Sequence, residues 1–144
     1  MAFQNPSREE IRDILNESQT IAVVGLSDNP ERVSYMVSEA MMKKGYTIIP
    51  VNPNADAILG QKSYKSLADV PVPVDIVNVF RRSEHTPPVA EEAVAIGAKT
   101  LWLQLGVLNE VAAAIAGEGG LRVIMDRCIK VEDSILLPNG KSKT

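Results

Sequence analysis

A short segment in the first quarter of the chain combines the residue types that proteins use to hold a phosphate. It begins with Gly25, directly after the apolar run 20–24, and continues with Ser27, Arg32 and Ser34. Glycine permits a tight turn, and the N-terminal amides of a following helix favour an anion. The segment therefore fits two interpretations: a phosphate-binding loop, or a strand-to-helix turn in which the polar residues only cap and turn the chain.

The same segment departs from the dinucleotide fingerprint G-x-G-x-x-G. Ser27 occupies the position of the second glycine, and Pro30 occupies that of the third. An NAD site also places an Asp or Glu at the end of the second strand, where this chain has Asn52 and Pro53. Both departures argue against NAD and leave other phosphate-bearing nucleotides open.

Two arginines, Arg81 and Arg82, follow the apolar run that ends at Phe80. A guanidinium pair at a strand end could bind an anion, because arginine matches phosphate geometry well. The alternatives are ordinary surface charge or ion pairs with Glu84 or Asp126. The residue types alone leave these interpretations open.

The next strand end carries Gln104 and Gly106. Gly106 either allows a ligand to approach the backbone closely or serves only the turn. Trp102 alternates with its neighbours within the preceding run, which favours a place in the core over a role as a ligand platform.

The single cysteine and the single histidine offer little catalytic chemistry. Cys128 is expected to be an inert, small buried residue, although nearby Arg127 and Lys130 keep a reactive thiol or a mixed disulfide conceivable. His85 is expected to be a loop or cap residue. One histidine makes a histidine-rich metal site impossible, and we predict no metal and no catalytic residue.

These residues follow elements that the apolar pattern predicts. Ser7 and Glu10 form a capping box before the first helix. Continuous apolar runs predict strands buried on both faces, and spacings of three and four predict helices. The predicted helices cover 8–17, 33–44, 86–96 and 109–116; the predicted strands cover 20–24, 46–51, 74–80, 100–103 and 121–125, with a short extended piece at 58–64.

Alternating strands and helices indicate an α/β fold, a Rossmann-like doubly wound parallel sheet with helices on both faces. We expect one domain over residues 1–144 and a flexible tail at 139–144. In such a sheet ligands bind at the carboxyl ends of the strands, which is where the polar residues above are placed.

The composition narrows the function further. The chain has 144 residues and a formal net charge of −3, so there is no basic field for nucleic acid. No apolar run approaches the ~20 residues of a membrane helix, and the N-terminus has no signal pattern. One cysteine cannot form an internal disulfide, so we expect a cytoplasmic protein.

Six segments, in order across residues 5–137, carry a family resemblance. Together they resemble the small stand-alone CoA-binding proteins of bacteria and archaea. They are also similar to the CoA-binding domain of the succinyl-CoA synthetase alpha subunit and of NDP-forming acyl-CoA synthetases. The segments are VVGLSDNPERVSYMV, GYTIIPVNP, ILGQKSYKSLADVP, VDIVNVFRR, GAKTLWLQLGV and VIMDRC.

The resemblance implies coenzyme A as the ligand. It places the phosphates at the first loop, the adenosine half beside the end of the second strand, and the pantetheine arm beside the third and fourth. The residues that would bind or shape the CoA site are Gly25, Ser27, Asn29, Pro30, Arg32, Ser34, Tyr35, Val51, Asn52, Pro53, Phe80, Arg81, Arg82, Gln104 and Gly106.

The favoured function is therefore a CoA-binding protein without a catalytic constellation of its own: a carrier, a sensor or a CoA-binding subunit. The alternatives are an enzyme or subunit of acyl-CoA or CoA-transfer chemistry and, third, an NAD-type binder. Whether the ligand is CoA or acyl-CoA stays open, as does action as a homo-oligomer or beside a catalytic partner chain.

Overall fold

The computed structural model describes residues 3–141, in which strands and helices alternate. The strands are β1 (Thr20–Val24), β2 (Thr47–Val51), β3 (Ala57–Ile58), β4 (Gln61–Lys62), β5 (Ile76–Val79), β6 (Thr100–Leu103) and β7 (Arg122–Ile124). The helices are α1 (Arg8–Glu17), α2 (Val33–Lys43), α3 (Thr86–Ala95), α4 (Glu110–Glu118) and α5 (Ile129–Leu136). Within the described range no helix is long and apolar enough to span a bilayer.

Five strands form one parallel sheet in the order β2-β1-β5-β6-β7. The chain moves outward from β1 to β2, then crosses to the other side of β1 and continues through β5, β6 and β7. The strand order therefore reverses between β1 and β5, and the loops that follow these two strands leave a crevice at the carboxyl edge. The predicted Rossmann-like doubly wound fold is confirmed.

Both faces of the sheet are covered by helices. Along β1, Ile21 and Val23 join the cluster that contains the buried side chains of α1, α2 and α5. Ala22 and Val24 join the opposite cluster, which contains those of α3 and α4. Burial on both faces explains why the central strands are continuous apolar runs. Trp102 is fully buried, so its predicted place in the core is confirmed.

The first helix follows its local sequence signal. The Ser7 hydroxyl oxygen accepts a hydrogen bond from the Glu10 backbone N–H at 3.2 Å, as a capping box requires. The helix covers the predicted residues, and its apolar side chains Ile11, Ile14 and Leu15 are buried against the sheet.

The extended piece predicted at 58–64 is instead a hairpin of β3 and β4. Leu59 and Gly60 join the two strands with φ values of 55° and 74°. Positive φ at both central residues is what a type I′ turn requires. After the hairpin, the Tyr64 carbonyl oxygen accepts from the Asn52 N–H at 2.9 Å, which anchors the end of β2.

The apolar pattern does not predict α5, because two of its buried positions are acidic. Glu132 and Asp133 are 3% and 2% exposed. Asp133 accepts from Lys44 Nζ at 2.9 Å and from the Tyr46 hydroxyl at 2.6 Å. Arg8 lies 3.5 Å from Glu132. Partners far along the chain thus contact both buried carboxylates, although Glu132 Oε1 has no hydrogen-bond partner within residues 3–141. A scan for apolar periodicity misses the helix.

The predicted flexible tail lies only partly within the described residues. Ser142 to Thr144 lie outside them. Lys141, the last described residue, donates to the Ser18 carbonyl oxygen, and its Nζ lies 4.0 Å from the centroid of the Tyr46 ring.

Candidate functional site

The loops at the carboxyl edge of the sheet surround a groove made of three adjoining cavities. We name them the α2 cavity (about 640 Å³), the β6 cavity (about 570 Å³) and the β2 cavity (about 280 Å³). Phe80 lines all three, and Val33 lines both the α2 and the β6 cavity. The groove therefore crosses the point between β1 and β5 where the strand order reverses.

Gly25 begins the loop after β1 and packs against the loop after β5. Its φ is +87°, and a Cβ there would collide with the Phe80 carbonyl oxygen. Its N–H donates to the Val51 carbonyl oxygen at 3.1 Å. The glycine thus allows the two loops that flank the crevice to approach each other closely.

The polar side chains of the first loop accept hydrogen bonds from backbone N–H groups of the same loop. The Ser27 N–H donates to Ser34 Oγ, and the Asn29 N–H donates to Ser27 Oγ, each at 3.0 Å. Asn29 Oδ1 accepts from the Glu31 N–H at 3.0 Å. These bonds use the hydroxyl oxygens as acceptors and leave both serine O–H groups available as donors. The loop therefore has a fixed shape and retains two donors beside the α2 cavity.

The N-terminus of α2 opens onto the α2 cavity without a side-chain cap. Arg32 is the N-cap residue, and its side chain makes no capping hydrogen bond. No acidic residue lies in the first turn. The first free amides belong to Val33, Ser34 and Tyr35, and none of them has a protein acceptor among residues 3–141. Such an end carries partial positive charge and favours an anion.

The guanidinium groups around the groove lack carboxylate partners. Arg32 lines the α2 cavity, Arg82 lines the β6 cavity, and Arg81 lines both the β6 and the β2 cavity. In the part of the chain that the structure describes, none of the three has a carboxylate oxygen within 4.0 Å. The alternative that Arg81 and Arg82 pair with Glu84 or Asp126 is therefore wrong.

Asn52 holds two loops together at the end of β2. Its Nδ2 donates to the Leu26 carbonyl oxygen at 2.9 Å, and its Oδ1 accepts from the Asn54 N–H at 2.8 Å. Both ends of the side-chain amide are thus engaged. Asn52 forms part of the wall and offers no carboxylate to a ribose.

Gln104 lies at the end of β6, where it borders the β6 cavity. Its Oε1 accepts from Asn78 Nδ2 and from the Ile129 N–H, each at 3.3 Å. Leu105 and Val107 contribute apolar surface to the same cavity, and Leu105 is 66% exposed. This end of the groove is mainly apolar, in contrast to the end at α2.

Cys128 and His85 differ in their relation to the groove. Cys128 is half-buried and lines the β6 cavity, so it is less secluded than the expected core residue. His85 is exposed, precedes α3 as its N-cap residue and lines none of the three cavities. Among residues 3–141 no three His, Cys, Asp or Glu side chains group as a metal site.

The predicted contact residues divide into two sets. Those that line the groove are Gly25, Ser27, Arg32, Ser34, Asn52, Pro53, Phe80, Arg81, Arg82 and Gln104. Those that line none of its cavities are Asn29, Pro30, Tyr35, Val51 and Gly106. Val51 is 3% exposed and faces the core. Gly106 instead donates its N–H to Asp126 Oδ1 at 2.7 Å, which joins the loops after β6 and β7.

The predicted site residues did not include five further lining residues: Glu31, Val33, Asn54, Leu105 and Val107. Val33 occupies the first helical position of α2 and is 60% exposed. The sequence signal that could have identified the apolar ones is their position, directly beside the polar residues at the strand ends. A large apolar side chain at the mouth of a groove is covered only when a ligand binds.

The chain is similar to several known proteins. A family model described as CoA binding domain matches residues 19–134. An uncharacterized protein of Bacillus subtilis (strain 168), YneT, is 54% identical over 133 residues, 92% of this chain and 98% of that protein. A structure of a hypothetical protein from Pyrococcus horikoshii OT3 has a TM-score of 0.89 at 35% identity, covering 95% of this chain and 99% of that one. The ADP-forming acetate–CoA ligase of Methanocaldococcus jannaschii is 26% identical over 121 residues, 78% of this chain but 17% of the ligase.

Proposed function

The chain belongs to the CoA binding domain family, and on this basis we propose that it binds coenzyme A, free or acylated, in the groove. The observation that carries the proposal is the division of the groove into a polar end rich in hydrogen-bond donors and a mainly apolar end. The α2 end has an uncapped helix N-terminus, and the β6 end has exposed apolar side chains. CoA has the same division, with its phosphates at one end and a mostly uncharged arm at the other.

The phosphates fit the α2 end. Free N–H groups at the start of α2 and the hydroxyls of Ser27 and Ser34 supply neutral donors. Arg32 in the α2 cavity and Arg81 in the adjoining β2 cavity supply positive charge without a carboxylate within 4.0 Å in residues 3–141. A diphosphate bound there gains charge-assisted hydrogen bonds and breaks no existing ion pair.

The pantetheine arm fits the β6 end. Val33, Leu105 and Val107 line this cavity and offer apolar contact along an extended chain. Phe80 stands where the three cavities meet, so its ring is placed to contact either the adenine or the start of the arm. Burial of the exposed Leu105 and Val33 side chains would add hydrophobic stabilisation to the complex.

The role that best suits this groove is binding without catalysis. The single histidine lies outside all three cavities, so Cys128 and the loop serines have no imidazole base beside them. We therefore propose a cytoplasmic carrier, sensor or CoA-binding subunit. The similarity to a much longer ligase favours a second candidate role, which is a CoA-binding subunit whose catalytic residues lie on a partner chain.

Isothermal titration with CoA, dephospho-CoA, ATP and NAD tests the proposal. We expect CoA to bind most tightly and NAD to bind weakest, because Asn52 offers no acid for the ribose. Absence of CoA binding at millimolar ligand would contradict the proposal, and tight NAD binding would favour the third alternative.

Native mass spectrometry of the protein purified from its own cells separates the two candidate roles. A carrier or sensor is expected as this chain alone, or as copies of it, with a mass increment equal to CoA or an acyl-CoA. A subunit is expected with a second, larger chain. An increment that matches neither CoA nor an acyl-CoA would contradict the ligand assignment.

A further inference from the structure

The side chain of Gln104 is buried, and only one end of its amide has a protein partner. The residue is 4% exposed. Its Oε1 accepts two hydrogen bonds, from Asn78 Nδ2 and from the Ile129 N–H. Its Nε2 has no acceptor within residues 3–141, and Gln104 lines the β6 cavity. The Nε2 atom remains accessible at the cavity, so a hydrogen-bond acceptor on a bound ligand can reach it.

Neighbouring groups fix which end of the amide faces the cavity. The Ile129 N–H can only donate, so the Gln104 atom beside it must be the oxygen. Asn78 agrees, because its Nδ2 also donates to the Trp102 carbonyl oxygen, at 3.4 Å, which can only accept. Asn78 is itself 1% exposed on β5. These two contacts hold the Oε1 end of the amide and leave the Gln104 NH₂ group on the side of the cavity.

The surroundings of this NH₂ group select the kind of acceptor. Val33, Leu105 and Val107 are the apolar walls, and the charged donors of Arg81 and Arg82 lie on the same cavity. A neutral carbonyl oxygen satisfies a neutral amide donor without bringing a charge against apolar walls. Carbonyl oxygens are also the acceptors of the pantetheine amides and of an acyl thioester.

We propose that Gln104 donates a hydrogen bond from Nε2 to a carbonyl oxygen in the pantetheine or thioester part of the ligand. Gln104 is then a specificity-determining residue for the arm, while the α2 end holds the phosphates. This inference rests on the proposed CoA binding and adds to it the chemical group that the β6 end recognises.

Two substitutions at Gln104 test the contact by titration with CoA, acetyl-CoA and 3′-phospho-ADP, which lacks the arm. Gln104→Glu keeps an acceptor for Asn78 and Ile129 and replaces the free donor by an oxygen. Gln104→Met keeps the length and removes both polar atoms. We expect both variants to bind acetyl-CoA about tenfold more weakly and 3′-phospho-ADP within about twofold of the wild type.

Thr100→Val is the matched control, since it alters a buried side chain at the opposite end of the same strand. It should leave all three affinities unchanged, and thermal melts should show that every variant folds. An equal loss for CoA and acetyl-CoA assigns the acceptor to a pantetheine amide. A larger loss for acetyl-CoA assigns it to the thioester carbonyl.

Two results would overturn the inference: CoA and acetyl-CoA affinities both unchanged in both Gln104 variants, or an equal loss for 3′-phospho-ADP. Failure of the proposed function is a separate outcome, because it is seen in the wild type as absence of binding to every CoA ligand.

Discussion

The two edges of the main sheet differ in whether their charged side chains have partners. At the amino edge, Asp75 accepts from the N–H groups of Gln19 and Thr20 at 2.8 and 2.9 Å, and it lies 3.6 Å from Lys99. At the carboxyl edge, Arg32 and the other groove arginines have no carboxylate within 4.0 Å in the described chain. Charges are paired where they hold the fold together and are left free where a ligand is expected.

Contacts at the amino edge also shift the pKa values of two side chains, Asp75 and Tyr46. Burial opposes ionisation of Asp75, but the N–H groups of Thr20 and Gln19 and the Lys99 ammonium outweigh it and lower the pKa of the carboxyl. Burial, followed by the hydrogen bond and the charge of Asp133, raises the pKa of Tyr46 far above its ordinary value. The charged and polar groups at the amino edge interact with one another and not with the groove. Substitutions at the amino edge should therefore change stability, and substitutions at the carboxyl edge should change ligand affinity.

The largest expected effect is loss of stability from Asp133→Ala at the amino edge. The substitution removes the carboxylate that accepts from Lys44 and from the Tyr46 hydroxyl, at a position that is 2% exposed. Lys44 then keeps only Ser134 Oγ as an acceptor, and Tyr46 keeps only the Leu15 carbonyl oxygen. We expect urea unfolding to show a loss of about 3 kcal/mol, with unchanged CoA affinity of the folded protein. The control, Glu39→Ala, breaks an exposed pair with Lys43 and should change stability by less than about 0.5 kcal/mol. A weakened CoA affinity in Asp133→Ala would contradict the separation of the two edges.

Gly25→Ala should lower both the stability and the CoA affinity, because Gly25 lines the groove and also packs against the loop after β5. The added Cβ would meet the Phe80 carbonyl oxygen at a backbone φ of +87°. We expect a loss of about 2 kcal/mol in urea unfolding, together with weaker CoA binding. Gly97→Ala is the control, since Gly97 also has positive φ but no atom within 4 Å of the added Cβ. If both variants retained full CoA affinity, Gly25 would have no role in shaping the groove.

Arg32→Ala should weaken binding and leave stability unchanged. Arg32 is exposed and makes no capping hydrogen bond, so its removal should change the free energy of unfolding by less than about 0.5 kcal/mol. We expect about a tenfold loss of CoA affinity, and a smaller dependence of that affinity on salt. Arg12→Ala removes an exposed arginine from α1 as the control. Equal CoA affinities of the Arg32 and Arg12 variants would show that the phosphates bind elsewhere.

The smallest effect should be the pH dependence carried by Asp75. Its pKa is lower in the folded than in the unfolded chain, so its contribution is fully present above the unfolded value of about 3.9. The contribution is lost as the pH falls through the lower, folded value. Unfolding midpoints of wild type and Asp75→Asn should therefore differ by a constant amount near neutral pH and converge in acid. A gap that stays constant down to pH 2 would show that Asp75 has no depressed pKa.

Local patterns predicted much of the fold and one end of the site. The capping box set the start of α1, and continuous apolar runs marked β1 and β6 because these strands are buried on both faces. The α2 end of the groove was indicated in the same way, since Gly25 and Ser27 follow a strand directly and precede a helix. These features depend on residues that are close together along the chain.

The sequence by itself therefore determined the order of the elements, the doubly wound class and the edge at which we expect a ligand. Only the tertiary structure decided which residues meet across long separations: Asp133 with Lys44, and Gln104 with Asn78 and Ile129. The physical reason is that apolar periodicity records which face of an element is buried. The partner of a buried polar group depends instead on how separate elements pack, and no local pattern encodes that.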